Sequence, residues 1–315
     1  MATGTSQAAP AGGLLRWTLR ARAGSERVPG EPRRMAYLYI LPAYVFYGTF
    51  VLVPLLHSVL LSFYNWDGVT PKTWAGLTNY RQILSDPEIR HSFVHSAVLV
   101  IFFSAVPVLI GLLLASALSR MPVFGLTGFR AVLFLPQIIP AVVIGVIWRW
   151  IYEPEGPLNK SLEAVGLGSF SRAWLGDFSW ALPSIGVIGS WVTYGFCMVL
   201  FIAGVQKIPT SLYDAARVDG AGPLREFFHV TLPGLRNEIA VVLTITMIWA
   251  LRTFDLIYVT TKGGPGNATE VPAFALYTRA FQTGQVGSAA AIGVVLALLI
   301  FVIVFLVTRV SERES

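Results

Sequence analysis

The chain has 315 residues, 55% of them hydrophobic and 13% charged, with a mean hydropathy of +0.65 and a formal net charge of +6 at pH 7. Soluble domains carry about 25% charged residues, so these values exclude an ordinary soluble fold and point to a membrane chain. The basic residues are placed around apolar segments, which argues against nucleic acid as their partner, and the single cysteine, Cys197, lies in an apolar run, where it reads as a small buried hydrophobe without an intrachain disulfide.

Residues 1–35 are rich in Ala, Gly, Pro and Arg and lack hydrophobic periodicity, so a disordered basic tail is expected there. The apolar run over 37–63 is too long for a signal-peptide core and lacks a convincing small-residue cleavage site, so it is expected to remain as a membrane span. His57 within it reads as a polar packing residue, and Pro42 and Pro54 are tolerable where neighbours satisfy the freed backbone groups. Five further spans are expected over 93–118, 129–151, 182–204, 239–261 and 289–308. Each reaches the roughly 20 residues that cross a bilayer core. His91 and His95 have the i, i+4 spacing of a metal pair, but no Cys or carboxylate completes a site, and they read as interfacial polar residues.

Charge decides the orientation. Six arginines of the tail (Arg16, Arg20, Arg22, Arg27, Arg33 and Arg34) fall on one side with Arg120, Arg130, Lys207, Arg217, Arg225, Arg236, Arg309 and Arg313, fourteen in all. The opposite loops hold seven: Lys72, Arg81, Arg90, Lys160, Arg172, Lys262 and Arg279. The positive-inside rule therefore places both termini in the cytoplasm. Trp66, Trp74, Trp148, Trp150, Tyr152, Trp174 and Trp180 then gather at the outer boundary, where amphipathic rings prefer to sit.

Residues 205–238 form a polar, helix-forming island on the inner side. Thr210 or Ser211 can cap a first short helix, with Asp214 placed as in a capping box. The helix is expected to run to about Val218 and end at Gly220, where a left-handed residue costs least. Pro223 suits the first turn of a second helix whose Leu224, Phe227 and Phe228 share an apolar face before Pro233 stops it. Helices this short do not hold themselves folded in water, so something must receive them.

The island resembles the EAA loop of the membrane subunits of binding-protein-dependent ABC importers. The likeness rests on Asp214-Ala215-Ala216, Gly220, Val230 and Leu232-Pro233, with Asp214 standing where the family usually has Glu. It extends to the Trp74–Tyr80 segment in the first outer loop, and to the Thr253–Gly266 segment with Asn267, Thr269 and Glu270, so that it covers roughly residues 37–310. These segments are similar to those of sugar-importer permeases, in particular the first permease of maltose- and lactose-type systems. The resemblance implies an all-α, type I importer permease fold of six transmembrane helices over 36–310, with short cytoplasmic tails at 1–35 and 311–315. It implies an ATPase-docking loop at 205–238 carried by Asp214, Ala215, Ala216, Asp219, Gly220, Phe227, Phe228, Leu232 and Pro233, with His229 part of it. It further implies a second, different permease, two cytoplasmic ATPase subunits and an extracytoplasmic solute-binding protein as partners, in a bacterial or archaeal plasma membrane. Gly263, Gly264, Pro265 and Gly266 form a turn that ends the fifth span sharply, and contact with the binding protein is the alternative role.

The chain carries no nucleotide site of its own by the P-loop route, since none of Lys72, Lys160, Lys207 and Lys262 follows a glycine. ATP and Mg are accordingly expected on the partner ATPases, with no cofactor, metal or catalytic residue assigned to this chain. Arg149 lies near the outer end of the third span and can snorkel. Arg252 and Asp255 lie inside the fifth span, three residues apart and hence on one face. Pairing with each other is the first expectation for them, substrate contact the second. Trp191, Tyr194 and Tyr258 join them as substrate-path candidates, because a pyranose face packs on an aromatic ring. The expected function is half of a translocation pore for a sugar, oligosaccharide or polyol. An ion-gradient-driven secondary transporter and a non-transporting scaffold or receptor are the alternatives. The first would favour internal repeats and dedicated mid-membrane ion sites.

Overall fold

A computed structural model of the protein describes residues 33–120 and 125–313, so the tail expected over 1–35 lies, up to residue 32, outside the described residues. The described chain divides into two units, one ending at Val53 and one beginning at Pro54. The first holds the helix Arg33–Tyr47, which continues through a π-helical turn at Gly48–Leu52. Pro42 sits inside that helix without breaking it.

In the second unit the remaining spans are Pro87–Ser119, the pair Leu126–Ile138 and Ala141–Ile151, Ala181–Val205, Arg236–Thr260 and Val286–Val310. The all-α expectation holds apart from a two-residue ribbon in the loop after the first span, where Tyr64 pairs with Trp74 and Asn65 with Thr73, antiparallel. The last helix extends to Arg313, into the segment expected as a tail.

Two of the expected spans are not single rods. The third bends by 93° between its two helices. Ile139 precedes Pro140 and is extended (φ −72°, ψ 130°), the conformation that the ring of a following proline enforces. Its limbs of 13 and 11 residues reach about 20 and 16 Å, so neither crosses a hydrocarbon core alone. The fifth span also breaks, between Arg236–Leu251 and Asp255–Thr260. No proline or glycine marks this break. The Thr253 hydroxyl instead donates to the Trp249 carbonyl at 2.9 Å, a back-bond of the kind that bends helices.

The fourth span, Ala181–Val205, is the hub of the second unit. Towards its C-terminal end Cys197, Met198 and Phe201 pack with Val108, Leu112, Leu235 and Val242. Towards its N-terminal end Ile185 and Ile188 pack with Leu99, Phe103, Ile144 and Ile257. Cys197 is fully buried, as its apolar setting predicted. Lipid is as apolar as these side chains, so close approach and interhelical hydrogen bonds carry the cohesion. A Cβ on Gly111 would fall 2.6 Å from the Cys197 Cβ, and one on Gly195 would fall 2.6 Å from the Leu133 carbonyl oxygen. Buried hydroxyls add Ser104 to Thr246 at 2.7 Å and Ser190 to the Phe102 carbonyl at 2.5 Å.

Buried asparagines organise the loops after the first and third spans. Asn159 donates to the carbonyls of Pro154 (3.0 Å) and Arg172 (2.9 Å) and accepts from the Trp174 indole at 2.8 Å. Asn79 likewise donates to the carbonyls of Ser62 and Tyr64, each at 2.9 Å.

Candidate functional site

The island between the fourth and fifth spans folds as helix, elbow, helix. Thr210–Val218 forms the first helix, and Gly220 follows at φ 79°, the left-handed conformation expected of it. Pro223 opens the second helix, Pro223–Glu226. Three details differ from expectation. The residue before the first helix is Pro209, with no side-chain cap, so Thr210 and Ser211 lie inside the helix. Asp214, freed from a capping box, approaches the Arg217 guanidinium at 3.5 Å instead. Pro233 does not stop the second helix, which continues through a π-helical turn at Phe227–Thr231 into Leu232–Gly234, because a proline in the first turn of a new segment loses no hydrogen bond. The predicted common face also splits: Phe227 and Leu232 pack on the inner core while Leu224 and Phe228 stay exposed.

The hairpin is clasped internally. Arg217 Nε donates to the buried Glu226 carboxylate at 3.0 Å across the elbow, and the Tyr213 and Thr231 hydroxyls meet at 3.1 Å. Lys207 at its base pairs with Glu238 at 3.0 Å, and His229 Nδ1 meets the Arg225 carbonyl at 3.0 Å. Glu226 escaped the sequence reading because an acid nine residues from its partner, beyond a turn, fits no helical periodicity. What remains outside the clasp is exposed apolar surface. Leu212 is 51% exposed, Val218 88% and Leu224 72%, while Phe228, 53% exposed, lies towards the fifth and sixth spans. Asp214, Ala215, Asp219 and Gly220 are exposed beside them, and Ala216 is half-buried. Exposed apolar residues bordered by charges are a mark of interaction surfaces.

A second feature lies where the two broken spans meet. A cavity of about 490 Å³ is lined by Gln137 and Ile139 from the bend of the third span, by Gly189 and Val192 from the fourth, and by Trp249, Arg252, Thr253, Phe254 and Asp255 from the break in the fifth. Arg252 and Asp255 are exposed into this space and make no ion pair with each other, contrary to the first expectation. The helix ends between them, so the i, i+3 geometry that would have brought them together is lost. Gln137 was not singled out by sequence reading. Its Oε1 is buried without a hydrogen-bond partner, and a lone amide within an apolar run was the available signal.

The other substrate-path candidates lie elsewhere. Trp191 is turned edge-on to Trp148 at 5.5 Å, and Tyr194 is half-buried on the fourth span. Tyr258 lines a separate recess of about 440 Å³ and stacks on Phe254 at 5.4 Å. The turn after the fifth span is closed by Thr269, whose hydroxyl donates to the Gly264 carbonyl at 2.8 Å. Gly263 (φ 85°) is buried there, whereas Gly266 (φ 50°) is exposed, and Gly264 and Pro265 are half-buried between them. Next to this turn, His95 Nδ1 meets the Glu270 carbonyl at 2.8 Å, which accounts for its place beside His91. Arg279 pairs with Asp86 at 2.6 Å and donates to Ser288 at 2.9 Å. Burial pushes the Glu270 carboxyl above the usual range; Glu88 adds to this, Arg279 opposes it, and Asp86 adds again.

Interrupted spans around a cavity with polar groups in its lining, and an exposed helical hairpin beside them, are features of a membrane transport subunit. The chain belongs to the family of binding-protein-dependent transport system inner membrane components, whose model matches residues 107–315. It is 38% identical over 266 residues to the probable ABC transporter permease protein YurN of Bacillus subtilis (strain 168), covering 84% of this chain and 91% of that one. It is 34% identical over 284 residues to the diacetylchitobiose uptake system permease protein NgcF of Streptomyces coelicolor, covering 84% and 80%. In fold it is similar to a chain of a bacterial ABC transporter involved in the import of the acidic polysaccharide alginate, with a TM-score of 0.77 at 22% identity over 89% of this chain and 96% of that one. The protein is thus a multi-pass inner-membrane permease of an ABC importer. Membership of this family sets aside the ion-gradient and scaffold alternatives.

Proposed function

We propose that this permease forms half of a carbohydrate translocation pore, beside a second, different permease, and is driven through residues 205–238 by two separate cytoplasmic ATPase subunits that hold the ATP and Mg. An extracytoplasmic binding protein delivers the substrate, and both termini face the cytoplasm. The observation that carries the coupling role is the clasped hairpin with its exposed Leu212, Val218 and Leu224. Such a surface has a receiving groove as its natural complement. The carbohydrate class is supported by the likeness to NgcF, a diacetylchitobiose uptake permease. It is also supported by the aromatic and hydrogen-bonding lining of the mid-membrane cavity. There Trp249 and Phe254 offer ring faces, and Gln137, Arg252 and Asp255 offer donors and acceptors to hydroxyls.

The test is reconstitution of the assembled complex. ATP hydrolysis is expected to rise when the binding protein is loaded with its sugar, and uptake to persist when ion gradients are collapsed. Uptake that stops with the ion gradient, or hydrolysis indifferent to the loaded binding protein, would overturn the reading.

A further inference from the structure

A second cavity of the second unit, about 830 Å³, is distinct from the one between the two broken spans. It lies where the fifth and sixth spans flank the base of the hairpin. Ala240 and Leu243 line it from one span, Leu306 and Val310 from the other, and Phe228 closes it from the hairpin side. Its volume falls within the ~300–1,000 Å³ range of sites that bury a small amphiphile. The single charged residue among those lining it is Arg236. That arginine is exposed and makes no hydrogen bond or ion pair among the described residues, while the neighbouring acid, Glu238, is held by Lys207. From Arg236 to Leu243 the helix rises about 10 Å, so the trench runs from the level of a headgroup into the acyl region.

An apolar trench with one unneutralised cation at its mouth complements an anion that carries an apolar tail. A transmembrane helix from a neighbouring protein would fill the trench but leave the guanidinium without a counter-charge. A soluble anion would satisfy the arginine but leave the trench empty. We infer that this groove is a binding site for an anionic phospholipid, with its phosphate on Arg236 and an acyl chain along Ala240, Leu243, Leu306 and Val310. Placing it in the inner leaflet rests on the orientation proposed above; the site itself does not. Because Phe228 shares the groove, a bound lipid would brace the base of the hairpin against the spans.

The experiment uses the assembled transporter in bilayers containing phosphatidylglycerol or phosphatidylcholine with the same photoactivatable acyl chain. After irradiation, adducts are mapped on the unsubstituted chain. Phosphatidylglycerol is expected to label the four groove residues about fivefold more than phosphatidylcholine, the factor that one cation near a charged headgroup supplies. Arg236→Gln should abolish that preference and Arg236→Lys should restore it. Equal labelling by the two lipids, or no adduct in the groove, would overturn the site, and this arm needs no variant to fold. So would efficient cross-linking of Ala240→Cys to the partner permease in place of lipid. Labelling of residue 211 from outside in intact cells would refute the orientation and leave the lipid result standing.

Discussion

Gly220 holds a φ of 79° with open space where a side chain would stand, so a substitution there meets backbone strain and no clash. Gly220→Val should cost about 1–2 kcal/mol at the elbow, a factor of roughly 5 to 30 in the population of the native hairpin. Asp214→Lys reverses an exposed charge at the tip. Both variants are expected to insert at normal abundance while transport and the stimulation of ATP hydrolysis fall together. Full stimulation with normal ATPase copurification in both would refute the docking role. Arg252 and Asp255 give a different expectation. Since no ion pair joins them, losses in uptake for Arg252→Gln and Asp255→Asn should add within about 0.5 kcal/mol in the double variant. A strong departure from additivity in a double-mutant cycle would show that they couple during the cycle. These residues also mark how far the sequence could be read. Gly220 and Pro223 were legible because turn chemistry is local, whereas the capping box expected of Asp214 did not form. Glu226 and Gln137 were not, because their roles arise from segments that meet only in the folded chain.

Helix packing in the second unit relies on places where a backbone has no side chain between it and its neighbour. Gly195 faces the Leu133 carbonyl, whereas Gly128 on the third span faces open space. Gly195→Ala should therefore lower the amount of folded protein recovered from membranes, by a cost of about 1–3 kcal/mol. Gly128→Ala should leave it unchanged or raise it slightly. Equal recovery of the two variants would remove the close approach from the account of stability. At this scale the sequence placed the spans well and their interruptions poorly. Pro42 and Pro136 lie inside helices, yet Pro140 ends one. Which proline bends a span depends on whether neighbouring segments can take up the freed carbonyls, and that is a property of packing. The break after Leu251 has no proline at all and was not foreseeable from spacing.

For the whole molecule, orientation is the testable consequence of the fourteen-to-seven charge asymmetry. A cysteine replacing the exposed Ser161 should react with an impermeant reagent in intact cells, and one replacing Ser211 only after permeabilisation. Equal reaction at both would overturn the six-span orientation. Segments far apart in sequence converge on Glu270, Asp86, Glu88 and Arg279. The raised pKa of Glu270 means that its folded form favours the proton. Its contribution to stability is present below the unfolded carboxylate value and is lost as pH rises through the folded one. Glu270→Gln should thus raise the melting temperature at pH 7 and change it little at pH 4. A larger gain at pH 4 would contradict the assignment.

The clasp of Arg217 on Glu226, with Tyr213 on Thr231, has a mechanical meaning as well as a structural one. A loose hairpin would act as a spring, yielding at its elbow and absorbing any push applied to its tip. One latched at both ends has little slack, so displacement at Leu212 or Leu224 reaches Leu235 and the start of the fifth span as nearly the same displacement. On the proposed docking role, the latch also leaves little chain ordering to oppose binding. Severing it with Glu226→Gln would, on this view, leave a partner able to grip the tip while the stroke dies in the joint: hydrolysis would continue and uptake would lag behind it.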